Sequence, residues 1–119
     1  MVTEFDTFRV KAGKEEAARE WMNTITQRKA ECIKTLAREK MALESVFLTE
    51  KGGRLYLSWF SIQGSNPEDV DTSEHEIDKI HCEFWEECID TTYEQAKFEH
   101  VVTFAPTIVD HSLNEATNT

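Results

Sequence analysis

The sequence predicts an α+β fold of the ferredoxin-like type, with a four-stranded antiparallel sheet, two helices on one face and the element order β-α-β-β-α-β. Three observations indicate this fold: two strand-like runs joined by Gly-Gly, two long segments of helical periodicity, and shorter strand-like runs near both ends of residues 1–105. We expect residues 1–105 to form one domain, because a chain of 119 residues can bury a single core. Residues 106–119 are expected to be a polar C-terminal tail.

The charge of the chain excludes two classes of partner. Its 23 acidic and 13 basic residues give a formal net charge of −10, which repels nucleic acid and anionic membrane surfaces. No apolar run approaches the length of about 18 residues that spans a bilayer, and the first ten residues lack the pattern of a signal peptide. A cytoplasmic protein is therefore expected, with the excess acid serving solubility.

A strand and a long helix are expected in the first third of the chain. Residues 3–10 mix aromatic and β-branched residues with threonine, which is typical of a strand. From Gly13 to about Arg38 apolar residues recur every three or four positions, as in an amphipathic helix. The stripe consists of Ala18, Trp21, Met22, Ile25, Cys32, Ile33 and Leu36. Such a helix would be about 37 Å long beside strands of about 25 Å, so we expect a kink near residues 24–27 or an overhang.

The strongest local pattern is a β-hairpin in residues 41–63, with Gly52 and Gly53 at its turn. Pairing of Glu50 with Arg54 would divide the side chains between two faces. One face would carry Glu44, Val46, Leu48, Tyr56, Ser58 and Phe60, and the other Leu43, Ser45, Phe47, Leu55, Leu57 and Trp59. Since neither face is polar, we expect helices to cover the second face and the sheet of a partner subunit to cover the first.

Residues 64–72 have the composition of a loop. A second helix is expected from Ser73, which can form a capping box with Glu76. A last strand is expected at residues 97–104. The tail after it would be mobile unless three apolar residues dock on a neighbour. These three are Ile108, Val109 and Leu113.

The second helix places a histidine where a hydrophobic residue is expected. At about 100° per residue, residues 73–90 have a continuous apolar face. It consists of Ile77, Ile80, Phe84, Trp85, Cys88 and Ile89. His81 lies near the middle of this face, and Asp78 flanks it within i,i+3 reach. A carboxylate there could fix the imidazole tautomer and stabilise the imidazolium, which suits a general base.

The predicted ligand pocket lies between this helix and the sheet. Ser45, Trp59 and Trp85 would wall it, and a polar group in an aromatic cavity is the usual form of a small-ligand site. Glu44 is expected on the opposite face with Tyr56. There it would be a partner-facing or solvated residue, or part of a second polar pocket inside a dimer.

Two alternatives limit this interpretation. A lone histidine in an amphipathic helix is more often a core residue than a catalytic one. A metal site of His75, Asp78 and Cys82 would lack a fourth ligand at motif spacing, so no metal is expected. The chain has three cysteines, Cys32, Cys82 and Cys88. They form no CxxC pair and are expected as reduced thiols, two of them on apolar helix faces. No glycine-rich phosphate loop is present, and no cofactor is expected.

Four sequence strings resemble those of a group of small uncharacterised bacterial proteins of the dimeric α/β-barrel class. They are WMN, EKMALESVF, LYLSWFSI and, above all, HEIDKIHCEFWEECI. The resemblance covers residues 5–89 and implies a ferredoxin-like fold whose two sheets close a barrel across a homodimer. It implies no activity. More distant barrels include cofactor-free monooxygenases, haem-degrading enzymes and sugar mutarotases.

Some of the haem-degrading enzymes use a strand tryptophan and a helix histidine, and Trp59 and His81 resemble these in placement. Those enzymes also rely on a polar residue of the first strand, typically asparagine. This chain has Glu4, Asp6 and Thr7 there, which weighs against haem.

The sequence thus predicts a homodimer that pairs through its sheet face and binds a small apolar or aromatic molecule under its helices. If the protein is an enzyme, His81 would act as acid or base with Asp78 orienting it, in proton transfer or cofactor-free oxygenation. The alternative is a non-catalytic binding or structural dimer in which His81 is a core residue.

Overall fold

Three strands and four helices form the described part of the chain, residues 1–38, 40–64 and 75–118 of a computed structural model. The elements are β1 (Val2–Arg9), α1 (Glu15–Gln27), α2 (Lys29–Arg38), β2 (Met41–Lys51), β3 (Arg54–Gln63), α3 (Glu76–Cys88) and α4 (Thr107–Asn118). The strands make one antiparallel sheet in the order β1-β3-β2. Residues 65–72 of the expected loop and the capping residue Ser73 lie outside the described residues. No described helix is long and apolar enough to cross a membrane.

The predicted four-stranded ferredoxin-like sheet and its βαββαβ order are wrong. Residues 97–104 were expected as the last strand, but they have no regular secondary structure. The outer edge of β1 is instead occupied by a side chain. The Gln95 amide oxygen accepts a hydrogen bond of 2.6 Å from the Thr7 backbone N–H, and its nitrogen donates to Asp6 at 3.0 Å. At Thr7, a side-chain amide thus takes the place of the backbone of a fourth strand.

The single long helix expected after Gly13 is two helices, α1 and α2, which meet at Arg28. Arg28 has φ −102° and ψ 31°, outside the helical range. In the last turns of α1, the hydroxyls of Thr24 and Thr26 donate to backbone carbonyls four residues earlier. Such back-bonding weakens and bends helices. The break comes one residue after residues 24–27 and relieves the mismatch in length with the sheet.

The hairpin forms as predicted, but its register differs by one residue. Gly52 and Gly53 have φ of 58° and 75°, the left-handed values that a two-residue turn of type I′ requires. Lys51 therefore pairs with Arg54, and the expected pairing of Glu50 with Arg54 is wrong. A shift of one residue moves every side chain of a strand to the other face.

The register places part of β2 on the face that α1 and α3 cover. Val46 lies opposite Trp59 and Leu48 opposite Leu57, so they share a face, and Glu44 follows the same alternation. The main core lies on this face and is fully buried at its centre. It consists of Val10, Ala18, Trp21, Leu55, Leu57, Cys88 and Ile89. Burying each large apolar side chain contributes about 1.5–3 kcal/mol.

Residues 107–118, within the expected tail, form α4, which contacts β2 and β3. Its Thr117 is buried, and the Thr117 carbonyl oxygen lies so close to Gly64 that a Cβ there would be 2.5 Å from it. Leu113 is half-buried, whereas Ile108 is 77% exposed. One side of α4 thus packs on the molecule while apolar residues at its start remain in solvent.

Asp90, two residues beyond α3, links three parts of the fold. Its Oδ2 accepts hydrogen bonds from Arg9 at 2.8 Å and from Arg54 at 3.5 Å. Its Oδ1 accepts from the Thr92 hydroxyl at 2.6 Å and the Thr92 backbone N–H at 3.0 Å. The hydrogen bond from the Thr92 hydroxyl, followed by that from Arg9, holds the pKa of Asp90 well below its ordinary range.

Asp90→Asn is expected to lower the melting temperature at neutral pH. Because folding depresses the pKa of Asp90, its stabilisation is present above the unfolded-state pKa of about 3.9 and is lost as the pH falls below it. The difference in melting temperature between wild type and variant should therefore narrow in acid. Thermal melts across this range measure it, with Glu94→Gln as an exposed control. A difference that stays constant into strong acid would contradict this account.

Candidate functional site

A cleft of about 830 Å³ opens among α1, α2, α3, β2 and β3. This volume lies within the range of small-molecule sites, roughly 300–1,000 Å³. Much of the wall is apolar and includes Met22, Ile25, Ile33, Leu36, Val46 and Trp59. The polar side chains on the wall include Lys29, Cys32, Glu44, Gln63, Asp78 and His81. The cleft therefore combines an apolar body with a few polar groups.

Asp78, in the first turn of α3, is a buried carboxyl on the wall of this cleft. Only 6% of its surface is exposed, and its Oδ2 has no hydrogen-bond partner within the described residues. A buried carboxylate oxygen that receives no hydrogen bond destabilises the folded protein by several kcal/mol, because the oxygen loses its bonds to water and gains none in return. The site is therefore short of one donor.

Glu44 reaches the same cleft because of the hairpin register. Protein atoms crowd its carboxyl, although the side chain still meets solvent through the open mouth. Desolvation raises the pKa of Glu44, and the nearby charge of Asp78 raises it further. The nearby indole N–H of Trp59 opposes this rise in pKa. Two carboxyl groups thus make this part of the cleft strongly acidic.

His81 lies between the cleft and the core and is half-buried. The indole N–H of the fully buried Trp21 donates to its Nδ1 at 3.2 Å. The ring centroids of Trp21 and Trp59 lie 5.2 and 5.8 Å from that of His81. Since Nδ1 accepts this bond, the neutral ring carries its proton on Nε2. His81 cannot take up a second proton at Nδ1 without breaking the bond to Trp21, which argues against a general base.

Trp85 does not line the cleft but packs behind it. Its ring lies 4.6 Å from Phe8 and 6.0 Å from Trp21, measured between centroids. These are edge-to-face contacts, which stabilise a core beyond the area they bury. Trp85 thus supports Trp21, which in turn holds His81.

Ser45 and Tyr56 lie on the opposite face of the sheet from Trp59, because the register reverses the predicted sides of β2. Tyr56 lines a second cavity of about 470 Å³ beside Tyr93 and Arg54. The expected grouping of Ser45 with Trp59 and of Glu44 with Tyr56 is therefore reversed. Of the predicted site residues, the structure brings four together in the cleft: Glu44, Trp59, Asp78 and His81.

Sequence reasoning did not assign Cys32 to the site. This thiol lines the cleft, and its pKa is raised by desolvation and then by the charges of Glu44 and Asp78. Cys32 is three residues after Lys29, which also lines the cleft, so the two lie on the same face of α2. This spacing is the signal that could have placed Cys32 in the site. Among the described residues, no three His, Cys, Asp or Glu side chains lie close enough to hold a metal ion.

The Trp21 hydrogen bond predicts that neutral His81 is the Nε2–H tautomer, which long-range ¹H–¹⁵N NMR detects directly. Trp21→Phe should remove this preference and cost about 1–3 kcal/mol from the unsatisfied acceptor alone. Trp85→Phe shrinks a neighbouring ring without touching the bond and should leave the tautomer unchanged. An Nδ1–H tautomer in the wild type would refute the assignment.

Glu44→Gln should stabilise the protein at neutral pH. The folded-state pKa of Glu44 lies above the unfolded-state value of about 4.3. The contribution of Glu44 is therefore fully present below that value and is lost as the pH rises through the folded-state pKa. The melting temperature of the variant should exceed that of the wild type by more at about pH 7 than at about pH 4. An equal difference at both values would show that Glu44 is not perturbed.

Comparison with known proteins adds a family but no activity. No curated protein and no solved structure gives a significant match. The resemblance to dimeric α/β barrels therefore gains no support from a relative. The residues that line the cleft, from Met22 to His81, all lie within the range matched by a family model. Residues 1–109 match the model of a family of unknown function, DUF6176, and the chain belongs to that family.

Proposed function

We propose that the protein binds a small, largely apolar molecule that carries a protonated amine, and that the amine is held by Asp78 and Glu44. The observation that carries the proposal is the buried Oδ2 of Asp78, which has no hydrogen-bond partner in the described residues. Buried polar atoms in native proteins nearly always have a partner. A donor from a ligand would supply the missing one.

The charge of the site favours a cation over a neutral donor. Desolvation raises the pKa of Glu44, and the charge of Asp78, which lines the same cleft, raises it further. An ammonium group between them would relieve the repulsion of their charges and form charge-assisted hydrogen bonds, which contribute about 1.5–3 kcal/mol each. Lys29 also lines the cleft, but it is exposed.

The rest of the cleft fits an apolar or aromatic body. Met22, Ile25 and Leu36 form one wall, and Trp59 presents an aromatic ring beside the two carboxyls. An aromatic ring also attracts cations over its face. The role of His81 in this proposal is to position Trp21 and Trp59 rather than to transfer protons, because its Nδ1 is occupied. The proposed function is thus binding, with specificity for a hydrophobic amine.

Calorimetric titration with 2-phenylethylammonium and 2-phenylethanol tests the proposal. The two probes share an apolar body and differ in the charged group. One charge-assisted hydrogen bond predicts that the ammonium binds at least about tenfold more tightly. Asp78→Asn should remove most of this preference, and Glu44→Gln part of it.

Glu94→Gln removes an exposed carboxyl outside the cleft and controls for the change in net charge. It should leave both affinities unchanged. Equal binding of the two probes, no binding of either, or an Asp78→Asn protein that still prefers the ammonium would overturn the proposal.

A further inference from the structure

Segment 98–109 exposes more apolar side chains than a monomeric protein in solution usually does. Phe104 is 90% exposed, Val101 84% and Ile108 77%. Phe98 and Val102 are more than half exposed. Exposed apolar side chains are ordinary when scattered singly, but a contiguous run of this kind marks an interaction site.

We propose that residues 99–105 pair, as an added β-strand, with the free edge of β2 in a second copy of this chain, and that the two copies exchange these segments reciprocally. The segment reads EHVVTFA, rich in the β-branched and aromatic residues that strands favour. Strand addition to an exposed sheet edge is a common mode of recognition. Reciprocal exchange closes a dimer.

The edge of β2 is the available receiver in the described sheet. The outer edge of β1 is bonded at Thr7 by the Gln95 side chain and at Arg9 by the backbone N–H of Asp90, and β3 is central. β2 pairs with β3 alone, and its second half is open to solvent, with Phe47 56% exposed. Its unpaired backbone groups are a template for another strand.

A dimer through the sheet face, as the sequence suggests, fits this structure less well. Ile62 lies on the face opposite the core by strand alternation, yet only 4% of it is exposed. α4 contacts β2 and β3, so part of that face is already covered by the same chain. The edge is the more accessible surface.

Charge favours contact between these two surfaces. The chain carries a net charge of −10, so two copies repel unless they meet on surfaces that are not acidic. Residues 97–105 contain one lysine and one glutamate, and residues 46–51 likewise contain one of each, Lys51 and Glu50. With Lys97, which lies just before the proposed strand, both surfaces carry one charge of each sign and can place opposite charges side by side.

The area available matches what a stable dimer needs. An aromatic side chain presents about 150–250 Å², and Phe98 and Phe104 are 56% and 90% exposed. With the exposed valines and Ile108, one segment offers on the order of 700 Å² for burial. A standard interface buries about 800 Å² per partner, and reciprocal exchange supplies one donated and one receiving surface on each copy.

Light scattering coupled to size exclusion tests the dimer. The wild type should run as a species of twice 13.8 kDa at micromolar concentration. Phe104→Glu should dissociate it without unfolding it, because the side chain is in solvent in the single chain. Ala12→Glu adds the same charge at another exposed position and should remain dimeric.

Hydrogen exchange tests strand pairing itself. Val102→Pro removes an N–H that a ladder needs, whereas Val102→Thr retains it. In the wild type and Val102→Thr, the amides of residues 46–51 that point away from β3 should be protected, and in Val102→Pro they should exchange rapidly. A monomeric wild type, a dimer that survives Phe104→Glu and Val102→Pro, or a dimer with unprotected amides at residues 46–51 would each overturn the proposal. Because Val46, Phe47 and Leu48 also line the cleft, all of these measurements are made on the protein without added amine.

Discussion

The two-residue turn at Gly52–Gly53 fixes the register of the hairpin, and the character of the cleft depends on that register. With Lys51 opposite Arg54, the side chains of Glu44 and Val46 lie on the same face as Trp59. Were the loop one residue longer, Glu44 would point away from α3 and the cleft would hold one carboxyl instead of two. A positive φ at both glycines makes this tight turn possible. A backbone property of two exposed residues thus determines the electrostatics of a site at the other end of the strand.

Periodicity and local composition predicted most of the described elements, because both are local properties of the chain. The hairpin, the amphipathic helices and the inward position of His81 follow from spacing alone. The register of the hairpin does not follow from spacing. Pairing Arg54 with Glu50 or with Lys51 leaves both faces of the sheet equally apolar, so the sequence pattern does not distinguish the two registers. The prediction of a last strand at residues 97–104 is wrong for a different reason. The side chain of Gln95 bonds the backbone of Thr7 at the edge of β1, and strand propensity carries no information about such a contact.

In the site too, the sequence predicted the contacts within one helix but not those between distant parts of the chain. The sequence placed Asp78 and His81 on one helix one turn apart, and both line the cleft. It could not show that Trp21, sixty residues earlier, holds Nδ1 of His81. Because that bond engages Nδ1 of His81, the carboxyl groups of Glu44 and Asp78 are better candidates for contact with a ligand than the imidazole. Among the described residues, Asp78 has the buried oxygen without a hydrogen-bond partner, although its position in the sequence predicts only a partner for the histidine.

Acidity has opposite consequences at the cleft and at the surface. A net charge of −10 makes two copies repel each other, and the proposed exchange would limit this repulsion by joining the segment around Phe104 to the edge of β2, where charges of both signs lie. In the cleft, Glu44 and Asp78 instead place two carboxyl groups beside apolar walls, where desolvation and then the charge of Asp78 raise the pKa of Glu44. Such an arrangement is destabilising for the empty protein. Under the proposed function, a bound cation would replace the repulsion between the two carboxyl groups by two attractions and would stabilise the protein.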